Sequence, residues 1–418
     1  MLTKKLKGGA LYVALIISIV IGITLSAFIL IGFYNQKQVL SQIALNQLHY
    51  NLGSAFNIAQ SEFFPEYENN RWISANSETD SIRIKKLQWG AYSLISTETK
   101  NHHQYLKQCG LFGVLTPKDT AILVSDKKQQ ISLAGKINFN GNCYFPKAGI
   151  KPVFLEGQSF STASEINSLL HRAPVVLPFA KNSFTLGIKN AITEFNPNTD
   201  SLISSLPELV NNSFSAKTTV FQSEIIHLFR NQLSGNIKIV GNREVIIENA
   251  TVLNDILITA PKVTIKKGFQ GVVQIISTDS IIIEEDCLLN YPSSLTVLNA
   301  DKNDKNIKGI FVGAKSIIYG SLICIYEKGD NYKAPSHVTI KLDKDCEIYG
   351  MLYSTDYAQL QGKIYGTAFC DKLFLITQSA LYENHLMNCE IDPKKYASSM
   401  VVPGIFVDKK INKCCKWL

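Results

Sequence analysis

Val245-Ile246-Ile247-Glu248, Val263-Thr264-Ile265-Lys266 and Ile281-Ile282-Ile283-Glu284 are three versions of one short β-branched segment. Their offsets are 263 − 245 = 18 and 281 − 263 = 18, and a constant step is how repeat architectures show themselves. Within each segment the period is two, the period of a strand. Val245/Ile247, Val263/Ile265 and Ile281/Ile283 therefore point inward. The last position of each carries Glu248, Lys266 or Glu284 on the outward face. Turns stacked at the strand spacing of about 4.8 Å would place Lys266 between two carboxylates, an alternation that favours this register over a slipped one. The competing reading, ordinary hairpins with a coincident spacing, wants Asn-Gly or Asp-Gly turns between the strands, and these segments have none. The stretch Gly235 to Leu298 thus reads as a right-handed parallel β-solenoid with Glu248, Lys266 and Glu284 as a structural ladder.

Downstream the pattern continues as Ile318-Tyr319-Gly320, Ile348-Tyr349-Gly350 and Ile364-Tyr365-Gly366. The steps are 350 − 320 = 30 and 366 − 350 = 16, a turn plus an excursion through Glu327 to Pro335, then a plain turn. Glycine lets the backbone bend at the corner, and the tyrosines before it form a rim that reads as structural rather than as a sugar-stacking stripe. Cys324, Ser354 and Cys370 each stand four residues after a corner glycine, so they occupy equivalent places on three successive turns. Cys324 and Cys370 are then about 10 Å apart, beyond the reach of a disulfide.

Upstream, Ile131–Phe145 alternates in the same style and reads as a first solenoid turn ahead of the main array. Thr162–His171 and Thr218–Leu233 lose the strand pattern. Thr162 with Glu165 has the spacing of a capping box, and Val220, Ile225, Ile226, Leu228 and Phe229 fit a helix face. Residues 161–234 are therefore expected to be helical, as an insertion between turns or as a small separate domain.

The N-terminal region has a different character. Ala10 to Phe33 is an uncharged, mostly apolar run of 33 − 10 + 1 = 24 residues, about 36 Å as a helix and long enough to span a bilayer. Lys4, Lys5 and Lys7 precede it and Lys37 alone follows closely, which puts the N-terminus in the cytoplasm and the bulk outside. Val39, Ile43, Leu48, Leu52, Ala55, Phe56 and Ala59 extend the helix as an amphipathic segment towards Pro65. The fold class is thus mainly β: an N-terminal transmembrane α-helix with an amphipathic extension, then a right-handed parallel β-solenoid with turns of about 16–18 residues, interrupted by a helical insertion. The corresponding segments are a basic leader 1–9, a transmembrane helix 10–33, an amphipathic helix 34–64, a mixed β region 65–160, the helical insertion 161–234, the solenoid 235–380 and a capping tail 381–418.

Lys4-Lys5-Leu6-Lys7-Gly8-Gly9 followed by Ala10-Leu11-Tyr12-Val13-Ala14 resembles the start of type IV pilin-like proteins, the minor pilins and pseudopilins. The resemblance implies cleavage of the leader between Gly9 and Ala10. Most of that family carry a glutamate where Ala14 stands here. Residues 235–380, with short turns, Val/Ile strands and glycine corners, resemble the bactofilin-like, polymer-forming β-solenoid proteins, which implies scaffolding or assembly rather than catalysis.

Net charge is +8 over 418 residues, and the lysines are scattered rather than gathered into the basic stripe that nucleic-acid binding requires. The nine cysteines show no zinc spacing, and no nucleotide, hydrolase or metalloprotease motif occurs. No cofactor, metal or catalytic residue is therefore expected. The expected function is that of a non-enzymatic, single-pass envelope protein in the cytoplasmic membrane, a subunit or accessory factor of a pilus-like or secretion-linked assembly. Its partners would be the membrane and envelope proteins or further copies of itself. The second reading is a membrane-anchored carbohydrate-active solenoid, an enzyme or a glycan-binding module.

Overall fold

The structure, a computed structural model, describes residues 9–61, 64, 71–75, 80–102, 104–115, 119–162, 164–167, 169–193, 197, 200–299, 308–326, 339–397, 400–406 and 412–418. The basic leader up to Gly8, the break at Pro65 and the loops read at Asp301–Asn306 and Glu327–Pro335 lie outside these residues. The described chain is mainly β, with one long apolar helix at its start and a second, short helix, and it divides into two compact units. Ser81–Trp89 and Tyr92–Lys100 contribute residues to both.

The first unit holds helix Gly9–Gln60, which runs unbroken for 52 residues, about 78 Å. It passes through Gly53, whose surroundings are open, and ends before Pro65. From Leu11 to Tyr34 its apolar side chains are exposed. Beyond them, Leu48, Asn51, Leu52, Ala55, Phe56 and Ala59 are buried, at the three- and four-residue steps of one helix face. Val39 and Ile43, expected on that face, are exposed. In the same unit Asn51 Nδ2 donates to Asp80 Oδ2 at 2.9 Å, and Gln104 Nε2 donates to Ser41 Oγ at 2.9 Å.

The second unit is organised by a sheet of nineteen described strands. Its inter-strand pairs are parallel throughout the 18-residue repeat. Val245 pairs with Val263 and Val263 with Ile281; Ile281 pairs with Ile310 and Ile310 with Ile340. The inward positions Val245, Ile247, Val263, Ile265, Ile281 and Ile283 are all buried within one continuous apolar core, as the period of two requires. A parallel row also runs from Ile318 to Ile348 and, farther along, from Ile364 through Ile391 to Phe139 and Ile166. Successive chain segments thus lie one above another with their apolar faces turned to a shared interior.

Ile131–Asn140 does join this array, but not at its beginning. It pairs with His385–Ile391, and Thr120–Val124 pairs with Ala368–Cys370. The early segment therefore lies at the end where the chain later arrives. At the other end stand Asp200–Ile203 and Leu209–Asn212, paired with Thr218–Leu228 and Gln232–Gly235. The chain enters the array at one end, passes through 173–199 to the other, and returns segment by segment.

This path corrects two expectations. Residues 161–234 are not a helical insertion: Glu165–Asn167, Leu170–Arg172, Asp200–Ile203, Leu209–Asn212, Thr218–Leu228 and Gln232–Gly235 are strands, and Asn182–Thr193 is the helix among them. Nor is 381–418 a tail over an open end. His385–Ile391 is itself a strand of the array, and Asn412–Trp417 pairs antiparallel with Gly110–Val114. A second core within this unit joins Trp89, Tyr92 and Leu111 to Leu257, Ile276, Ile323, Met351 and Tyr353, side chains facing away from the first core. Trp89 Nε1 donates to the Asp255 carbonyl at 2.9 Å, and Lys416 Nζ lies 2.6 Å from Asp255 Oδ2. One outer face of the array is covered in this way.

Candidate functional site

Surface chemistry concentrates in two columns on the array. The first contains the predicted ladder. Ile247, Ile265 and Ile283 stand in register, so the residues after them project from equivalent places on three levels. Lys266 Nζ lies 2.8 Å from Glu284 Oε1, and Glu284 Oε2 accepts from the Lys267 backbone N–H at 3.0 Å. These bonds hold the Glu284 carboxyl below its ordinary range, the Lys266 bond contributing most. The same pair raises the Lys266 ammonium, with smaller contributions from Glu248 and Glu244. Glu248 does not bond Lys266. It turns to His227 Nε2, 2.7 Å away on the preceding level. The expected alternation is thus two pairs, His227–Glu248 and Lys266–Glu284, rather than one lysine shared by two acids. A further pair, Glu244–Lys262 at 2.9 Å, repeats the arrangement four residues earlier along the same strands.

The second column is built on the tyrosine–glycine motif. Tyr319 stacks on Tyr349 with ring centroids 4.5 Å apart, and Tyr349 meets Tyr365 at 4.8 Å. The glycines beside them are required by close approach: a methyl group on Gly350 would run into the Gly320 carbonyl oxygen, and one on Gly366 into that of Gly350. The corner motif therefore marks places where backbones of neighbouring levels touch. Lys395 Nζ lies 5.0 Å over the Tyr365 ring and closes the stack at that end. Ring faces within the stack are taken by one another, which suits the structural reading of this stripe.

Beside the tyrosines runs a row of charges. Lys363 Nζ lies 2.7 Å from Glu347 Oε1, and Lys395 Nζ lies 2.7 Å from Glu390 Oε1. Tyr349 donates its hydroxyl to Glu347 Oε2 at 3.0 Å. The Lys363 bond is the largest influence lowering the Glu347 carboxyl. This row borders a cleft of about 340 Å³ whose lining includes Lys136, Lys344, Gln361, Lys363, Asn388 and Glu390. Gly135-Lys136-Ile137 repeats the pattern of Gly362-Lys363-Ile364. The two motifs do meet there, two positions out of step, since Gly362 pairs with Cys389 and Cys389 with Ile137.

Gly9 and Ala10 begin the long helix, and Ala10 is exposed. Cys324 pairs in register with Ser354 and Cys370 with Val124, and Cys324 and Cys370 are both buried thiols. Among the described residues no group of histidine, cysteine and acidic side chains is arranged to hold a metal.

No family model matches this chain, and no curated protein matches it. The pilin-like and bactofilin-like resemblances therefore rest on the sequence patterns that suggested them. Among solved structures the chain matches the competence-associated pilin ComZ from Thermus thermophilus, at 7% identity over 84% of this chain and 86% of that one. The TM-score of 0.20 is too low to equate the two folds.

Proposed function

We propose that this chain is a non-enzymatic, single-pass envelope protein that presents a right-handed parallel β-solenoid outside the cytoplasmic membrane. Its role is that of a subunit or accessory factor in a pilus-like or secretion-linked assembly. The observation that carries the reading is helix Gly9–Gln60: its first part is apolar and exposed, long enough to cross a membrane, and its last turns are packed within a folded unit. One unbroken helix serving as both anchor and structural element couples the membrane segment to the fold. Lys4, Lys5 and Lys7 before it favour a cytoplasmic N-terminus. Right-handed coiling is the hand favoured by parallel strand crossovers.

The paired columns support a non-catalytic surface. A general acid needs a carboxyl raised towards the working pH, whereas Glu284 and Glu347 are lowered by their lysine partners. The test is the N-terminus of the protein isolated from membranes. A mature chain beginning at Ala10 supports processing of the pilin-like kind. An uncleaved chain rejects that assignment and leaves a plain signal anchor.

A further inference from the structure

Strands Tyr92–Lys100 and Tyr105–Val114 are neighbours in one sheet, and two hydrogen bonds close the turn between them. The Asn101 backbone N–H donates to the Gln104 carbonyl at 3.0 Å, and the Gln104 N–H donates to Asn101 Oδ1 at 2.7 Å. Within the first unit this tip lies along helix Gly9–Gln60. The Thr99 hydroxyl donates to the Leu48 carbonyl at 3.4 Å, and Gln104 Nε2 to Ser41 Oγ at 2.9 Å. The hairpin therefore runs back along the helix from Leu48 to Ser41, towards the apolar segment. Ser41 stands 41 − 34 = 7 residues past Tyr34, about 10 Å along the helix. Tyr34 directly follows the apolar run, and a tyrosine at such an end marks the membrane–water interface. The turn beyond Gln104 projects about one strand step, 3.3 Å, nearer the membrane, to about 7 Å from Tyr34. The headgroup layer is about 5–8 Å deep on each side of a bilayer, so the tip reaches it.

Charge at this level has one sign. Lys37 lies one helical turn nearer the membrane than Ser41, on the same face, and Lys37, Lys100 and His102 are all exposed. Lys100 Nζ is held 4.2 Å over the Trp72 ring at the flank of the tip. Helix Gly9–Gln60 carries no acidic residue. Among the described residues of this unit the acids are Asp80 and Glu98, both buried. Asp80 accepts from Asn51, 51 − 41 = 10 residues farther from the membrane than Ser41. Glu98 accepts from Arg83 Nε at 2.8 Å, lies 3.5 Å from Lys107 Nζ and precedes Thr99, whose place is beside Leu48. No described carboxylate of the unit therefore stands between the tip and the membrane. We propose that the hairpin tip rests in the headgroup layer and binds anionic phospholipid, whose phosphate meets Lys37 on the helix and Lys100 and His102 on the tip. A zwitterionic headgroup brings its own cation to its phosphate, whereas an anionic one leaves that charge for these side chains.

The proposal rests on helix Gly9–Gln60 crossing a membrane, but not on its direction or on cleavage after Gly9. The experiment follows hydrogen exchange by mass spectrometry on the full-length protein in lipid nanodiscs, of phosphatidylcholine alone or mixed with phosphatidylglycerol. Amides of residues 100–105 should exchange more slowly in the anionic discs, and salt should weaken the effect. Lys37→Gln should cut that added protection about fivefold, the scale of one cation at a charged surface, and Lys37→Arg should retain it. Unchanged exchange of the buried helix turns from Leu48 to Phe56 confirms that both variants are folded. Equal exchange in the two kinds of disc, or full protection in Lys37→Gln, would overturn the assignment. Alkaline carbonate separates the two failures. A protein that stays with the membrane yet shows no lipid preference refutes the headgroup contact alone, whereas a protein extracted from the membrane refutes the anchor and the contact together.

Discussion

Reversing the charge of Lys266 tests the register of the array. Lys266 Nζ and Glu284 Oε1 are 2.8 Å apart, with side chains 38% and 36% exposed. At that exposure the pair contributes about 0.2–1 kcal/mol. Lys266→Glu removes it and sets three carboxylates in one column, adding about 0.2–1 kcal/mol of repulsion per adjacent pair before screening. The net cost is about 1–2 kcal/mol. With a slope of about 3 kcal/mol per M in urea, the unfolding midpoint falls by about 0.5 M. Lys266→Met, which removes the pair without adding charge, should lose about half as much. In 1 M salt the screening length shrinks to about 3 Å, so the gap between the Glu and Met variants should narrow. Urea titrations followed by circular dichroism at low and high salt supply the data. A Lys266→Glu midpoint at or above that of the unmodified protein, or a Glu–Met gap indifferent to salt, would refute the reasoning.

Gly350→Ala drives a methyl group into the Gly320 carbonyl and should cost at least the ~1–3 kcal/mol of an overpacked core; a melting temperature equal to wild type would contradict the close approach. Ser354→Cys places a thiol beside Cys324, its register partner, at a strand spacing of about 4.8 Å, within disulfide reach. Mild oxidation should then join the two, while non-reduced mass mapping of the unmodified protein should find Cys324 and Cys370 unpaired. Because Lys266 lowers the Glu284 carboxyl, the pair's contribution is complete above the unfolded value of about 4.3 and is lost as pH falls through the lower folded value. Because Glu284 raises Lys266, the same contribution is complete below about 10.4 and is lost as pH rises through the higher folded value. Glu284→Gln should flatten stability at both extremes, and an unchanged acid limb would count against the pairing.

The 18-residue step was legible because the same alternation recurs three times, with Val245, Ile247, Val263, Ile265, Ile281 and Ile283 all inside the core. The long helix was equally legible, since composition and length decide it. The strands of 161–234 were hidden for local reasons. Thr218–Leu228 shifts register between Ser223 and Ile225, so its apolar residues fall out of a strict period of two and mimic a helix face. Glu165–Asn167 and Leu170–Arg172 have three residues each, too few to display any period. The spacing alone puts Glu248 in its column, but its partner His227 sits on Thr218–Leu228, a strand whose sequence mimics a helix. The cleft beside the tyrosine column was invisible because it joins residues 136–138 to 388–390, a pairing set by where the chain's path closes rather than by any local pattern.

The most direct test of the membrane reading is a reporter active only outside the cytoplasm, fused after Leu418 and compared with one active only inside. If helix Gly9–Gln60 crosses the membrane with its lysine-flanked start inside, the first reporter is active and the second silent, and protease added to spheroplasts reaches the β array. An active cytoplasmic reporter, together with a C-terminal region untouched by protease, would contradict it.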